Sequence, residues 1–249
     1  PDRAVALAEG KPLSGAVGQV GPGLVPPRPR EEVEVPPADS LGSSLRFVDE
    51  VVDLTVIFEP KVNIVSLRRE ASAALTEETR RAVGEWHGKL FTVAVPEAEP
   101  IVAEQLVGFP ALAADALRWI EVLADLTGSL HVGVRLARLE SAMCPRFHVD
   151  RVPIRLVTTY AGRGTEVLSN EHVDRARLGH GGLHASDEAS GVMITPNHVR
   201  STSTFDVVLL KGETWPDNAG LGAVHRSPHA SEASPRLVMT LDVLGGTRA

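Results

Sequence analysis

At Gly128 the spacing of apolar residues in this chain switches from a helical period to a strand period, and that switch constrains what the chain can fold into. Before it, "FPALAADALRWIEVLADLTG" sets Leu112, Ala116, Trp119, Leu123 and Leu126 along one face of a helix that starts at Pro110 and stops at Gly128. After it, "SLHVGVRLARLE" alternates Leu130, Val132, Val134 and Leu136 against His131, Gly133, Arg135 and Ala137, the pattern of a half-buried strand. The helix has an apolar stripe to bury, and a sheet built on that strand offers the face for it. Further short strands are expected at "VPIRLVTTY", "TEVL", "GVMIT", "FDVVLLKG", "GAVHRS" and "RLVMTLDVL". Several short strands separated by turn residues point to a sandwich or barrel with helices over one side. The fold class is α+β with a mainly β core.

Upstream, "EASAALTEETRRAVGEWHGKL" reads as a second helix, rich in Ala, Glu and Arg with apolar residues at helical spacing. Two β-branched stretches, residues 51–58 and 62–67, flank Pro60, and each fits either a strand or a short helix. Residues 1–44 hold eight of the eighteen prolines and show no period, so an extended arm is expected there. The organisation is thus an arm over 1–44 and one domain over 45–249, with helical support in 45–128 and the β core in 129–249.

A chain of 249 residues, 43% hydrophobic, is long enough for one large domain with a sizeable core. Its net charge of -7 gives no general attraction for a phosphate backbone or an anionic bilayer, so neither nucleic acid nor membrane is an expected partner. The single cysteine, Cys144, forms no intrachain disulfide, and no basic-then-apolar leader opens the sequence; both fit a cytoplasmic setting. The chain begins at Pro1 without a Met, which leaves open an upstream segment.

Nine histidines are present, and a metal needs ligands converging from separate elements. In "CPRFHVDRVPIRLVTTY", His148 and Asp150 are two apart, so in extended chain both project from one face. His225 in "GAVHRSP" is the best partner for them, completing two imidazoles and one carboxylate and leaving positions open on the metal. Eleven residues later Arg236 opens the last strand, where its planar fork suits the far carboxylate of an acidic co-substrate bound to the metal at its other end. The tetrapeptide His-Val-Asp-Arg recurs in "SNEHVDRARLGHGGLH", which crowds His172, Asp174, His180 and His184 together. That copy sits among glycines without an apolar strand scaffold, so a solvated loop or short helix is expected there rather than a second metal site. The long polar stretch from Ser169 to Ser190 is a lid or an insertion. Cys144 reads as a small buried residue rather than a nucleophile.

The ordered set of His-x-Asp at 148–150, "GRGTEVL", the Lys-Gly step in "VVLLKGE", His225 and Arg236 resembles the iron(II)- and 2-oxoglutarate-dependent oxygenases, nearest the prolyl-hydroxylase-like branch. More closely, "CPRFHVDRVPIRLVTTYAGRGTEVL" with "VHRSP" resembles a bacterial domain-of-unknown-function family, numbered eighteen twenty-six. The oxygenase resemblance implies a double-stranded β-helix, also called a jelly roll and cupin-like. It implies iron(II) on His148, Asp150 and His225, and 2-oxoglutarate chelated there with its distal carboxylate on Arg236. It further implies dioxygen-dependent hydroxylation or other oxidation of a small-molecule or peptide substrate, with release of succinate and carbon dioxide. Tyr160 stands slightly earlier than the tyrosine that touches the co-substrate in that branch, and is its candidate counterpart here. Two other readings use the same residues: a non-catalytic or regulatory zinc-binding protein, and a cupin-like hydrolase or isomerase in which the metal activates water and Glu166 is the base.

Overall fold

The computed structural model describes residues 43–86, 88–178 and 186–247. The arm expected over 1–44 therefore lies outside the described residues except for its last two, as do His180 and His184 of the second His-Val-Asp-Arg copy.

The described chain is a mixed α+β structure organised on one large sheet. Strands β1 (Leu45–Val48), β2 (Ile64–Leu67), β3 (Gly88–Ala94), β4 (Ser129–Leu139) and β5 (Ile154–Ala161) belong to it, with β8 (Val207–Lys211) and β10 (Arg236–Thr247) inserted between them. Its order is β1-β2-β8-β5-β10-β4-β3, antiparallel throughout except for the β1–β2 pair. A small sheet, β7-β6-β9, is formed by β6 (Glu166–Leu168), β7 (Arg200–Ser201) and β9 (Val224–Arg226).

Helices α1 (Ala73–Glu85), α2 (Ala98–Gln105) and α3 (Pro110–Thr127) share one apolar cluster with the large sheet. The predicted stripe of α3 is what they bury: Leu112, Ala116, Trp119 and Leu123 are inaccessible or nearly so, against Val132, Val134 and Leu136 of β4 and Met239 and Leu241 of β10. Each large apolar side chain removed from water this way contributes about 1.5–3 kcal/mol. The helix ends are satisfied by side chains. The Ser72 hydroxyl accepts from Leu75 N–H to start α1, and the buried Glu78 carboxylate accepts from Leu112 N–H at the positive end of α3. Gly128, at φ 67°, ends α3 in the left-handed conformation that its position after Thr127 requires.

Because side chains alternate along a strand, the other residues of the large sheet face the opposite way. Ile64, Val157, Val208, Leu210 and Val238 meet Val167 of β6 and Ala223 there, so a second apolar cluster lies between the two sheets. A third, containing Phe147, Leu168, Val173, Val192, Met193 and Val224, packs on the other side of the small sheet.

The structure differs from the sequence expectation in three places. The helix expected across "EASAALTEETRRAVGEWHGKL" stops at Glu85, and the chain resumes as β3 from Gly88, pairing with β4. Of the two stretches that fit either a strand or a short helix, residues 51–58 form a 3-10 helix and Ile64–Leu67 a strand. "GVMIT" makes only one bridge, Met193 to Val173. Residues 45–128 are more than helical support, since β1, β2 and β3 come from them; α2 in the same stretch was not foreseen.

Candidate metal centre

His148 and Asp150 sit in the segment that leads from β4 into β5. It is tied to β9 by a single antiparallel bridge, in which His148 N–H donates to the His225 carbonyl and His225 N–H returns the bond, both at 3.1 Å. Residues exchanging such a pair stand directly opposite, so the two imidazoles lie together with ring centroids 4.4 Å apart. Asp150, two residues on, brings Oδ1 to 3.5 Å from His148 Nε2 and Oδ2 to 3.3 Å from His225 Nε2. One ligand atom from each of the three lies within 4.8 Å of the others. The three residues singled out from the sequence are thus brought together by the fold.

The local chain is built for this. Gly212, just beyond β8, donates its N–H to Pro153 while Glu213 N–H donates to the Asp150 carbonyl, which pins the 150–153 turn against the sheet. Any side chain at Gly212 would run into the Val152 carbonyl oxygen at 1.9 Å, so the close approach requires glycine. His148 Nδ1 lies 2.9 Å from the Arg146 carbonyl and His225 Nδ1 3.1 Å from the Ala223 carbonyl. A carbonyl only accepts, so both Nδ1 atoms carry hydrogen and both Nε2 atoms are directed at Asp150, the tautomer a metal ligand needs. Side-chain exposure rises from His225 at 9% through Asp150 at 15% to His148 at 29%, so the cluster is reached from one side.

Arg155 on β5 holds the carboxylate from behind. Its NH1 donates to Asp150 Oδ2 at 2.7 Å, while Nε and NH2 form a two-pronged pair with Asp242 of β10, each at 2.7 Å. Burial would raise the Asp150 carboxyl, but hydrogen bonds from His148 and His225 and the charge of Arg155 outweigh it and hold the group well below the usual carboxylate range. For His148 burial acts to lower the imidazole, yet the bond to Asp150 prevails and its pKa is raised.

Arg236 is 2% exposed and lies on the same side of the large sheet as Val238. Nε donates to the Arg163 carbonyl at 2.7 Å and NH2 to Thr159 Oγ1 at 3.2 Å. Among the described residues no carboxylate pairs with it, and burial lowers its pKa to about 10. A buried guanidinium with no carboxylate in contact, eased only by the more distant charge of Glu166, is costly, which marks a place for an anion.

Two expected site residues are elsewhere. Tyr160 is on the helix side of β5, its hydroxyl donating to Asp115 at 2.8 Å within the Arg69–Asp115 ion pair. On β5 the even-numbered residues Ile154, Leu156 and Tyr160 face the helices, and a register shift opposite Leu237–Val238 leaves Tyr160 as the extra residue of a bulge. Tyr160 therefore does not face the Arg236 side. Glu166, the base of the hydrolase reading, is ion-paired with Arg226 at 2.7 Å and Arg163 at 3.2 Å. Its β-sheet neighbour Val167 is the residue paired with His225, so Glu166 points to the other face of the small sheet and away from the cluster. Thr158 likewise faces the helices, between Val207 and Met239.

The second His-Val-Asp-Arg copy forms no ligand cluster among its described residues. His172 stacks on His198 with centroids 3.6 Å apart, and Asp174 accepts from Ala176 N–H as the cap of a 3-10 turn.

Two residues not expected at the centre support it, Asp187 and Asp242. Asp187, in the short helix α4 (Asp187–Ser190), accepts from Arg146 Nε at 2.8 Å, Phe147 N–H at 2.8 Å and Arg226 NH1 at 2.9 Å, next to both histidine positions. Nothing in the local pattern points to it. Asp242 was detectable in principle, as an acid at an inward position of a strand whose alternation was clear.

Residues 48–242 match the family model described as "Protein of unknown function (DUF1826)". The chain belongs to that family. No curated protein matches this DUF1826 chain in sequence. Among solved structures it is similar to a rice dioxygenase for auxin oxidation, at 14% identity over 80% of this chain and 82% of that one, with a TM-score of 0.45. It is also similar to a full-length Neurospora crassa protein solved in complex with alpha-KG, at 12% identity, 82% and 86% coverage and a TM-score of 0.43. A third is the Fe(II)/(alpha)ketoglutarate-dependent dioxygenase TqaL, at 11% identity, 80% and 87% coverage and a TM-score of 0.45. No helix among the described residues is long and apolar enough to cross a membrane.

Proposed function

We propose that this protein is an iron(II)- and 2-oxoglutarate-dependent oxygenase, its two facing sheets forming a double-stranded β-helix around the His148, Asp150 and His225 centre. The observation that carries the reading is the convergence of those three ligand atoms within 4.8 Å, with both imidazoles already oriented through Nδ1. Two nitrogens and one carboxylate oxygen leave coordination positions open, which suits iron(II) in an oxygenase. With 2-oxoglutarate and dioxygen, iron(II) in such a site supplies oxidative decarboxylation coupled to substrate oxidation.

The chain's own residues have separable tasks. His148 and His225 bind through Nε2. Arg155 engages Asp150 Oδ2, steadying the carboxylate and leaving its other oxygen for the metal. Arg236, with Thr159 beside it, receives the distal carboxylate of 2-oxoglutarate and is relieved of its uncompensated charge. That buried guanidinium favours the oxygenase over zinc storage or sensing, neither of which needs a carboxylate grip. The hydrolase reading loses its base with Glu166 turned away.

The test is anaerobic titration of the metal-free protein with iron(II) and 2-oxoglutarate, following the visible metal-to-ligand charge-transfer band. The band is expected in the native chain and absent after His148→Ala or His225→Ala. Arg236→Ala should weaken 2-oxoglutarate by about 100-fold, on the scale of truncating one side of a buried charge pair, while iron(II) binding changes less than twofold. No band, or a band that survives the histidine substitutions, sinks the reading; zinc binding without a band would favour the metal-binding alternative.

A further inference from the structure

The cluster between the two sheets covers the inner face of the large sheet at β2, β8, β5 and part of β10; on β4 only the last residue, Leu139, packs against it, and no residue of β3 does. There the register lays out a floor in rows. Arg155, Asp242, Gly133 and Thr92 stand side by side across β5, β10, β4 and β3; Val157, Thr240, Arg135 and Leu90 form the next row, and Leu244 lies beyond opposite His131. The result is a groove of about 490 Å³, within the usual size of small-molecule sites.

Three features of this groove point to a ligand. Leu90 is 81% exposed, and Met143 and Leu244 are also open, so apolar side chains are gathered on a floor that nothing described covers. Gly133 sits inside a long central strand, where glycine weakens pairing, although its backbone does not call for one. A Cβ there would meet only the Leu244 side chain, at an ordinary 3.5 Å. An interior strand glycine without a backbone reason marks close approach by something else. Finally, Arg155 is paired with both Asp242 and Asp150, whereas the Arg135 side chain has no hydrogen bond or ion pair among the described residues. Arg135 is therefore the one charged group on this floor without a side-chain partner among the described residues, which places an anion's attraction there.

We infer that this groove binds a small, mainly apolar molecule with one anionic group, the anion on Arg135 and the body running over Gly133 toward Leu244. From Arg135 to the row of Leu244 is four residues along β4, about 13 Å at the usual strand rise. The body passes beside Arg155, the residue that holds Asp150, so the ligand borders the metal centre. Calling it the substrate rests on the oxygenase reading; its binding does not.

The experiment uses the full chain, free of metal and 2-oxoglutarate, with 13C-labelled methionine methyls as the reporter. Of the three methionines, Met143 lines the groove, while Met193 and Met239 are buried. Decanoate, decyl phosphate and decylamine are the probes. One or both anions should shift the Met143 signal saturably without moving Met193 or Met239, the tighter one identifying the head group, and decylamine should not. Arg135→Gln should weaken the anion at least about tenfold, as expected for loss of a charge-assisted bond. Gly133→Val should do so by filling the trough, with Tm unchanged or raised; if it lowers Tm, Arg135→Gln alone decides. The inference is overturned if neither anion moves Met143, if decylamine moves it at the same midpoint, or if the anion binds Arg135→Gln as well as the native chain. Because neither metal nor co-substrate is present, this result and the charge-transfer result can fail separately.

Discussion

The same four residues, His-Val-Asp-Arg, occur at 148–151 and 172–175 and come to opposite ends. In both copies the valine packs on the third apolar cluster: Val149 against it, Val173 within it. Alternation then sends the histidine and aspartate of each copy to the side away from that cluster. What differs is where the copy lies. The first contributes the inner side, so His148 and Asp150 point between the sheets and meet His225 and Arg155. The second bridges Met193 over the cluster, so His172 and Asp174 point outward, with Asp174 partly exposed and 3.6 Å from Arg177. A metal site is thus made by which side of a packed layer a tetrapeptide lies on, not by its letters.

The largest effect expected from this comparison is on metal binding. Asp150→Ala should abolish iron(II) or zinc(II) binding, measured by equilibrium dialysis, or weaken it by at least about 100-fold, since it removes the only charged ligand of the cluster. Asp174→Ala and His172→Ala should change it less than twofold. Metal lost equally from both sets of variants would break the distinction between the copies.

A smaller effect separates the two regions by stability. Asp187 is buried and takes three bonds from residues beside His148 and His225, and Asp187→Ala removes all three together. Breaking a buried ionic group in this way should cost about 3 kcal/mol in urea denaturation. Metal affinity should fall about tenfold, as for other loss of support around ligands. Arg177→Ala removes only the exposed pair with Asp174 and should cost less than about 1 kcal/mol. Equal losses would mean that α4 is no more than a surface turn.

These assignments show where a sequence is readable. The helix bounded by Pro110 and Gly128 and the alternation of β4, β5 and β10 follow from local spacing, and the structure places them accordingly. His148, Asp150 and His225 could be grouped because a two-residue spacing and a distal histidine suffice to describe the arrangement. Tyr160 falls on the helix side by the same alternation as Ile154 and Leu156, so the family resemblance, not the spacing of β5, is what carried it to the site. β3 was hidden behind the Ala- and Glu-rich helix before it, and an edge strand of this kind declares itself only by pairing with β4. Asp187 was invisible for a similar reason: its three donors come from two segments about 40 residues away on either side.

The smallest expected effect is a difference in proton binding, and it distinguishes the copies without any metal. His148 has its pKa raised above the ordinary 6.5, since the bond to Asp150 overcomes the opposing effect of burial. His172 has its pKa lowered below the same value, first by burial and then by the charge of His198. The signs follow from linkage. For His148 the folded pKa lies above the unfolded one, so its stabilising contribution is full below about 6.5 and is lost as pH rises through the raised folded value. For His172 the folded chain binds fewer protons than the unfolded chain between the lowered value and about 6.5, so stability falls as pH drops through that window. Imidazole NMR titration of the metal-free protein should give midpoints on opposite sides of 6.5. His198→Ala should move His172 back toward the ordinary value and leave His148 in place. Adding zinc(II) should remove the His148 titration and spare that of His172, because a metal on Nε2 displaces the proton only where a cluster exists. If the two midpoints fall on the same side, or zinc(II) silences both, the outward copy shares the electrostatics of the inward one and the contrast between them is wrong.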